Sequence, residues 1–356
     1  MNPQSIAARL ALANYYWSSA RPSDAEQAIT GALEIEPSNV AANRALASFY
    51  MANNRASDAE TPLRRAAEAS EDPQPSLVLS DYLVRQGRHE EAGDLLDKLI
   101  SRPGLLAAAK SRRAAIEYLL ERRPHAYQLL DEILAEQPKN AEVLVLKGKW
   151  LLADSQADAA LRVAEAAVAA DPNAWPVHDL LGSAYVLRNQ PEQALAAFSE
   201  AVRLNPRALH PQIALSELHI RQGRVDAGVR FAEEAMQSAP TSGLARFVLA
   251  RALVGKGDLK RARSELQPVL LGSPKSAQVQ ALLGAIEERE GNVAAATRAS
   301  IGQSRLMPPP LRLCQAWFVW TPRPGTSPGP SSASSRRRPE ILRSADRTKA
   351  QRRSRP

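Results

Sequence analysis

The spacing of apolar residues along the chain predicts pairs of short helices. In residues 175–208, two apolar stripes with three- and four-residue spacing flank the polar residues Arg188, Asn189 and Gln190, and such spacing marks one face of a helix. Pro191 suits the first turn of a second helix, and Pro206 prevents that helix from continuing. We therefore predict two antiparallel helices joined by a tight turn. The stripes consist of Val177, Leu180, Leu181, Ala184, Tyr185 and Leu187, then Ala194, Leu195, Ala197, Phe198, Ala201, Val202 and Leu204.

Small residues recur along the chain in two series with a nearly constant step. Neighbours in each series are 34 residues apart, except for one step of 33, and the series are offset by twelve residues. A period in this range is typical of a solenoid, in which each unit buries its apolar face against its neighbours. The first series is Ala13, Ala47, Ser80, Ala114, Gly148, Gly182, Ser216, Ala250 and Gly284. The second is Ala25, Ala59, Ala92, Ala126, Ala160, Ala194, Gly228, Ala262 and Ala296, and a proline series follows the same step at Pro138, Pro172, Pro206, Pro240, Pro274 and Pro308.

The residue types within one unit resemble the tetratricopeptide repeat, a helix–turn–helix unit of about 34 residues. The resemblance is carried by Leu181, Gly182, Tyr185, Ala194, Phe198, Ala201 and Pro206. It implies an all-α, right-handed superhelical solenoid of about nine repeats over residues 1–307, and the alanine-rich repeats are similar to those of large bacterial tetratricopeptide proteins. The repeats are expected at about 6–39, 40–73, 74–106, 107–140, 141–174, 175–208, 209–242, 243–276 and 277–307.

Two charged residues depart from the family pattern before the first small position. Arg113 in unit four and Lys147 in unit five replace the usual large apolar residue. We expect both to pack their stems and keep their charges in water. The pattern is weakest in the first helix of unit four, where local slippage is an open alternative.

The basic character of the chain belongs to its end. The net charge is +8, and residues 308–356 hold eleven Lys or Arg against Glu340 and Asp346, so that the other 307 residues carry 35 bases and 36 acids. This Pro-, Ser- and Arg-rich tail is expected to be disordered. Its apolar segment LRLCQAWFVW is a candidate cap for the solenoid end. An alternative hypothesis is that residues after about 300 result from a frameshift, in which case another reading frame should continue the repeat.

Composition narrows the class of protein further. A single cysteine, Cys314, excludes an intramolecular disulfide framework, and no segment approaches the roughly 18 apolar residues of a membrane span. As written, the chain is expected to be cytoplasmic. If it is a fragment of a longer exported protein, related to lipoproteins beside exosortase-type sorting systems, a periplasmic or membrane-anchored location is expected. The abrupt start of unit one leaves that alternative open.

A search for catalytic and metal-binding patterns predicts no enzyme and no cofactor. The five histidines show no HExxH or other metal spacing, and they are interpreted as solvated or packing residues. Gly255, Lys256 and Gly257 are interpreted as a helix–helix turn instead of a phosphate loop. Trp150 and Trp175 are predicted to pack between repeats.

The family resemblance implies that the first helices of successive units line a concave groove that binds peptides or protein segments. The groove positions carried over to this chain are Asn14, Trp17, Arg44, Asp81, Arg85, Tyr118, Lys149, Asp179, Glu217, Arg221, Phe247, Arg251, Glu288 and Arg289. Their charges have mixed sign, so no preference for acidic or basic ligands is predicted. Only Asn14 matches the family's chaperone-tail clamp, and we expect no capture of a chaperone C-terminal carboxylate.

The predicted function is therefore a non-catalytic protein-interaction scaffold. Two alternatives stay open: an accessory arm of a larger assembly, and binding of nucleic acid or an anionic surface through the Arg-rich tail. No nucleic acid is expected elsewhere on the chain. An exposed solenoid end could stack on another copy, which leaves a homodimer open as well.

Overall fold

The computed structural model describes residues 5–100 and 106–292, all of which belong to the first of the two units into which the chain divides, Met1–Trp320. These residues form seventeen α-helices and one 3-10 helix, and they include no strand. Consecutive helices pack as antiparallel pairs, and each pair contacts the next. The predicted all-α solenoid of helix pairs is therefore confirmed. The predictions for residues 293–356, including the basic tail, its apolar segment, the frameshift and Ala296, lie outside the described residues.

Each unit contributes a first and a second helix. The first helices are α1 (Ile6–Ser18), α3 (Val40–Ala52), α5 (Gln74–Arg85), α7 (Leu106–Leu119), α9 (Ala141–Ala153), α11 (Trp175–Leu187), α13 (Leu209–Arg221), α15 (Gly243–Lys256) and α17 (Ala277–Arg289). The second helices are α2 (Pro22–Ile35), α4 (Glu60–Glu68, preceded by the 3-10 helix Ala56–Ala59), α6 (His89–Ile100), α8 (Arg123–Glu136), α10 (Ala157–Ala170), α12 (Pro191–Leu204), α14 (Val225–Ser238) and α16 (Leu259–Gly272). Helix α12 begins at Pro191 and ends before Pro206, as predicted.

The two series of small residues lie where the helices approach most closely. Every described member is buried except Gly284, which is half-buried in the last described helix. At Gly182, an added Cβ would lie 2.7 Å from the ring of Phe198, and at Gly148 it would lie 2.5 Å from Leu180 in the next first helix. Larger side chains at these positions would therefore separate the helices, which explains the period in the sequence.

Each first helix that the structure describes is followed by one residue with a left-handed backbone, five positions before the second small residue of the sequence series. Four of these nine residues are glycines, which adopt a positive φ without strain. Such a residue ends a helix by redirecting the chain after its last turn. Because five units use other residues, composition alone does not reveal this shared turn. The residues are Ala20, Asn54, Gly87, Glu121, Ser155, Asn189, Gly223, Gly257 and Gly291, with φ from 55° to 85°.

On five first helices, one side chain forms a hydrogen bond to the turn that precedes the helix. Each donates a hydrogen bond to the carbonyl of a proline six residues earlier, an acceptor that would otherwise need water. The four later donors follow the 34-residue period, although their residue types differ, so the sequence analysis did not detect them. The pairs are Asn43 with Pro37, His178 with Pro172, Gln212 with Pro206, Arg246 with Pro240 and Gln280 with Pro274.

The two charged departures from the family pattern are both tied to the preceding second helix. Arg113 pairs with Asp97 on α6, with Nε and Oδ1 3.2 Å apart, and Lys147 pairs with Asp131 on α8. Their side chains are about one-fifth exposed, as expected for packed stems, but the charged groups end in ion pairs and not simply in water. Helix α7 is regular and Ala114 is fully buried, so no slippage occurs in unit four.

Candidate functional site

The candidate site is the surface formed by the outward side chains of the first helices, which we call the first-helix wall. All fourteen predicted groove residues lie on first helices. Eight of them are exposed, namely Asn14, Trp17, Arg44, Arg85, Lys149, Arg221, Glu288 and Arg289. Five are half-buried, namely Asp81, Tyr118, Glu217, Phe247 and Arg251, and Asp179 is buried. The structure therefore places the residues on one class of helix but gives them unequal access to a ligand.

Three of the four acidic wall residues pair with a basic side chain on the next first helix. The carboxylate of Asp81 accepts a hydrogen bond from Arg112 Nε at 3.0 Å. Helices α13 and α15 provide the other two partners, as Asp179 Oδ1 lies 2.6 Å from His210 Nδ1 and Glu217 Oε1 lies 2.5 Å from an Arg251 nitrogen. Arg112 and His210 were absent from the predicted set. These pairs connect adjacent repeats. They also engage three of the carboxylates that gave the predicted wall its mixed charge.

Burial also affects the first of these acids. It raises the pKa of Asp81, and the positive charge of Arg112 partly offsets that rise. The side chain of Asp81 is only 16% exposed. This carboxylate is therefore part of the inter-repeat contact and is poorly placed to meet a ligand.

Four basic wall residues have no ion-pair partner within the described residues. Arg44, Arg85, Lys149 and Arg221 are exposed, and within residues 5–100 and 106–292 none of them forms a hydrogen bond or an ion pair. At the C-terminal end of the wall, Arg289 donates to the carbonyl of Val254. The side chains available in the centre of the wall are therefore mainly cationic.

Large apolar side chains are exposed on the same wall. Trp17 is 39%, Leu119 56% and Val186 37% exposed, and all three lie near the C-terminal ends of first helices. Leu119 and Val186 were missed by the sequence analysis. Leu119 belongs to a row with the 34-residue step, which joins Arg85, Leu119, Ala153, Leu187 and Arg221. That shared register was the signal in the sequence that could have identified it.

An aromatic cluster joins units four and five beneath the wall. Tyr118 stacks on Trp150 with ring centroids 4.4 Å apart and an interplanar angle of 11°. The hydroxyls of Tyr118 and Tyr127 donate to Asp154 at 3.0 and 2.8 Å, and Arg123 pairs with the same carboxylate. Burial raises the pKa of Tyr127 to about 12. Tyr118 is therefore held by packing, and the prediction that Trp150 packs between repeats is confirmed.

Four of the five histidines make a ring contact, a hydrogen bond or a close approach to a carboxylate, whereas His89 has a buried Nδ1 without a hydrogen-bond partner among the described residues. His219 stacks on Phe231 with ring centroids 5.4 Å apart, and His125 Nδ1 lies 3.2 Å from the buried carboxylate of Glu117. Burial and nearby arginines lower the pKa of His219. Within the described ranges, no group of three or more His, Cys, Asp or Glu side chains is arranged to hold a metal ion.

The Asp179–His210 pair is expected to make stability depend on pH. Burial opposes the charged imidazole, but Asp179 on α11 prevails and raises the pKa of His210 above its ordinary 6.5. Lys149 on α9 opposes that rise, Glu217 on α13 supports it, and the ring edge meets Phe198 on α12. A raised pKa in the folded state adds stability below about pH 6.5, which is lost as the pH rises through the folded value.

The comparison of wild type with His210→Gln tests this prediction. We expect the variant to lose more unfolding free energy at pH 5.5 than at pH 8.5, measured by urea denaturation. Asp179→Asn should remove the same pH-dependent part, and the double variant should lose little more. An equal loss at both pH values would show that the pair contributes packing and no charge interaction.

No helix among the described ones combines the length and apolarity needed to cross a bilayer.

Comparison with known proteins places these helix pairs in a family. Two tetratricopeptide repeat models match, one at residues 16–76 and 219–286 and the other at residues 180–243. A model described as ChAPs (Chs5p-Arf1p-binding proteins) matches residues 77–205. No curated protein sequence matches the chain.

Solved structures share the fold at low sequence identity. The human IFIT1 dimer with m7Gppp-AAAA superposes with a TM-score of 0.55 and 16% identity, covering 85% of this chain and 77% of that one. A tetratricopeptide repeat protein from Parabacteroides merdae gives 0.50 and 16%, covering 65% and 92% of the two chains. The Cut9–Hcn1 hetero-tetramer of APC/C also gives 0.50 and 16%, covering 82% and 65%. The predicted resemblance to the tetratricopeptide repeat is confirmed over residues 16–76 and 180–286, where the repeat models match, and the solved structures show that the chain shares this fold.

Proposed function

We propose that this protein is a non-catalytic interaction scaffold that binds peptide or protein segments along the first-helix wall. In this proposal, residues 1–307 form the binding solenoid and residues 308–356 are a tail outside the binding surface. The observation that carries the proposal is the exposure of Trp17, Leu119 and Val186 on the wall. Exposed apolar side chains mark an interaction site when they belong to one continuous patch, and in this proposal one bound partner covers the apolar residues along the wall.

The chemistry of the wall supports binding over catalysis. Asp81, Asp179 and Glu217 each pair with a basic side chain of the following first helix. Each of these three carboxylates therefore has a basic neighbour instead of the second carboxylate that an acid–base couple would need. The exposed side chains instead offer apolar area and cationic groups, which recognise segments of other proteins.

A pair of substitutions on the wall tests this function. In Leu119→Glu/Val186→Glu, two side chains that are 56% and 37% exposed become charged. We expect the full-length variant to lose the peptides that wild type enriches from a phage-displayed library of random peptides. The reason is that the apolar area that excludes water from the contact is gone.

Leu271→Glu is the matched control for that experiment. Leu271 is 75% exposed but lies on α16, a second helix outside the wall. The control should enrich the same peptides as wild type. Equal enrichment by the wall variant, or no enrichment by wild type, would contradict the proposed binding surface.

A further inference from the structure

We propose that the occupant of the first-helix wall is an acidic, extended protein segment whose central residues are aliphatic. This inference rests on the proposed function and specifies the chemistry of the partner. Its evidence is the combination of inter-repeat ion pairs, unpaired basic residues and exposed apolar residues on the wall.

Pairing between charged side chains determines the sign of the charge that the wall offers to a ligand. Asp81, Asp179 and Glu217 are held by Arg112, His210 and Arg251, each from the following first helix. A ligand that approaches the centre of the wall meets carboxylates that are already compensated. The cations Arg44, Arg85, Lys149 and Arg221 there are exposed and form no ion pair within the described part of the chain, although Arg85 is near enough to Asp81 to lower the pKa of that carboxyl group.

The order of residues along one row of the wall predicts the order of charged and apolar residues in the ligand. Arg85 and Arg221 are separated by Leu119, Ala153 and Leu187, each one repeat further along the chain. Both arginines and Leu119 are exposed, and Ala153 and Leu187 are half-buried. Val186, next to Leu187, is also exposed. The row therefore presents an apolar stretch between two cationic ends.

The length of the row gives the length of the segment. Packed helices lie about 8–10 Å apart, so four steps between first helices span roughly 32–40 Å. An extended chain advances about 3.3 Å per residue. A segment of about 12 residues, with acidic residues near both ends and aliphatic residues between them, covers the row from Arg85 to Arg221.

Two other occupants fit less well. The tail of this chain, residues 308–356, carries eleven basic and two acidic residues, so its charge opposes the cationic row. Nucleic acid would find aliphatic side chains between the arginines, where stacking of bases requires aromatic rings. The remaining 307 residues also carry 35 bases against 36 acids, so they lack the excess positive charge of a nucleic-acid surface.

The test uses the full-length protein and a phage-displayed library of random peptides of about 12 residues. Wild type is expected to enrich peptides with acidic residues near both ends and aliphatic residues in the centre. Arg85→Glu/Arg221→Glu is expected to bind the leading synthetic peptide at least tenfold more weakly. Wild-type affinity should also fall as salt concentration rises, because the end contacts are exposed charge pairs.

Arg65→Glu/Arg162→Glu is the control with the same change in charge. Both residues are exposed, and both lie on second helices, α4 and α10. We expect this variant to bind the leading peptide within about twofold of wild type, since long-range attraction between exposed charges is largely screened at physiological salt. A similar loss in both double variants would show that net charge, and not the row, attracts the peptide.

The remaining outcomes separate this inference from the proposed function. Enrichment of neutral or basic peptides that depends on Leu119 and Val186 would support the binding wall and overturn the acidic partner. Acidic peptides that still bind Arg85→Glu/Arg221→Glu would indicate capture by the tail and would also overturn it. Tighter binding of a single-stranded oligonucleotide than of the leading peptide, lost in the same variant, would make nucleic acid the occupant. No enrichment at all would overturn both proposals.

Discussion

Replacing Phe198 with alanine is expected to destabilise the sixth repeat by about 3–5 kcal/mol, the usual cost of truncating a buried aromatic side chain. Phe198 is 1% exposed and lies on α12 against the backbone of Gly182 on α11. Its ring also meets the edge of His210 in the next repeat, with centroids 5.9 Å apart. The substitution would thus open a cavity both inside one helix pair and at its border with the next.

Amide hydrogen exchange of α11 and α12 is the appropriate measurement for this variant. Long repeat arrays do not always unfold in one step, so a single transition midpoint does not isolate one repeat. Leu271→Ala is the control, because the side chain is 75% exposed and its truncation should change stability by no more than about 0.5 kcal/mol. Protection of α11 and α12 that is as high in Phe198→Ala as in wild type would contradict this account of the core.

Replacing Trp150 with alanine is expected to separate the unfolding of the first four repeats from that of the later ones. Helices α8 and α9 share the least extensive contact of any consecutive α-helices among those described. Trp150 is 4% exposed and packs on Tyr118 and Tyr127 of the preceding unit. Its removal should cost about 3–5 kcal/mol, most of it at this junction.

A urea titration followed by circular dichroism tests the separation. In a solenoid, stability is the sum of the repeats and their interfaces, so a weakened interface allows its two sides to unfold independently. We expect Trp150→Ala to unfold in two transitions. Trp17→Ala, the same substitution at a side chain that is 39% exposed at the first repeat, should leave the number of transitions unchanged. One transition at the wild-type midpoint in Trp150→Ala would show that other contacts couple the repeats.

Much of the fold could be predicted because one packing requirement is repeated nine times. Gly182 and Ala194 are small since their helices touch there, and the same requirement recurs one repeat away. A preference for a small residue is weak at any one position, but its repetition every 34 residues gives a clear period in the sequence. The boundaries of α12 were likewise predictable, because Pro191 and Pro206 act through their own backbone geometry.

The candidate site could be predicted only in part. The family register placed all fourteen residues on first helices, but register does not report which side chains meet. Asp179 became buried and paired with His210, 31 residues later, and Tyr118 was taken into an aromatic cluster with Trp150. Leu119 and Val186 were missed because only the family's groove positions were carried over, and neither residue lies at one of those positions.

By itself, the sequence determined the repeat and the helix pairs, since both follow from near-neighbour packing repeated along the chain. The tertiary structure alone decided the charge and accessibility of the first-helix wall. Those properties depend on contacts between residues about one repeat apart, such as Glu217 with Arg251 and Asp81 with Arg112. A charge in the sequence has a sign but no partner, and only the stacked helices show which charges are compensated and which stay available to a ligand.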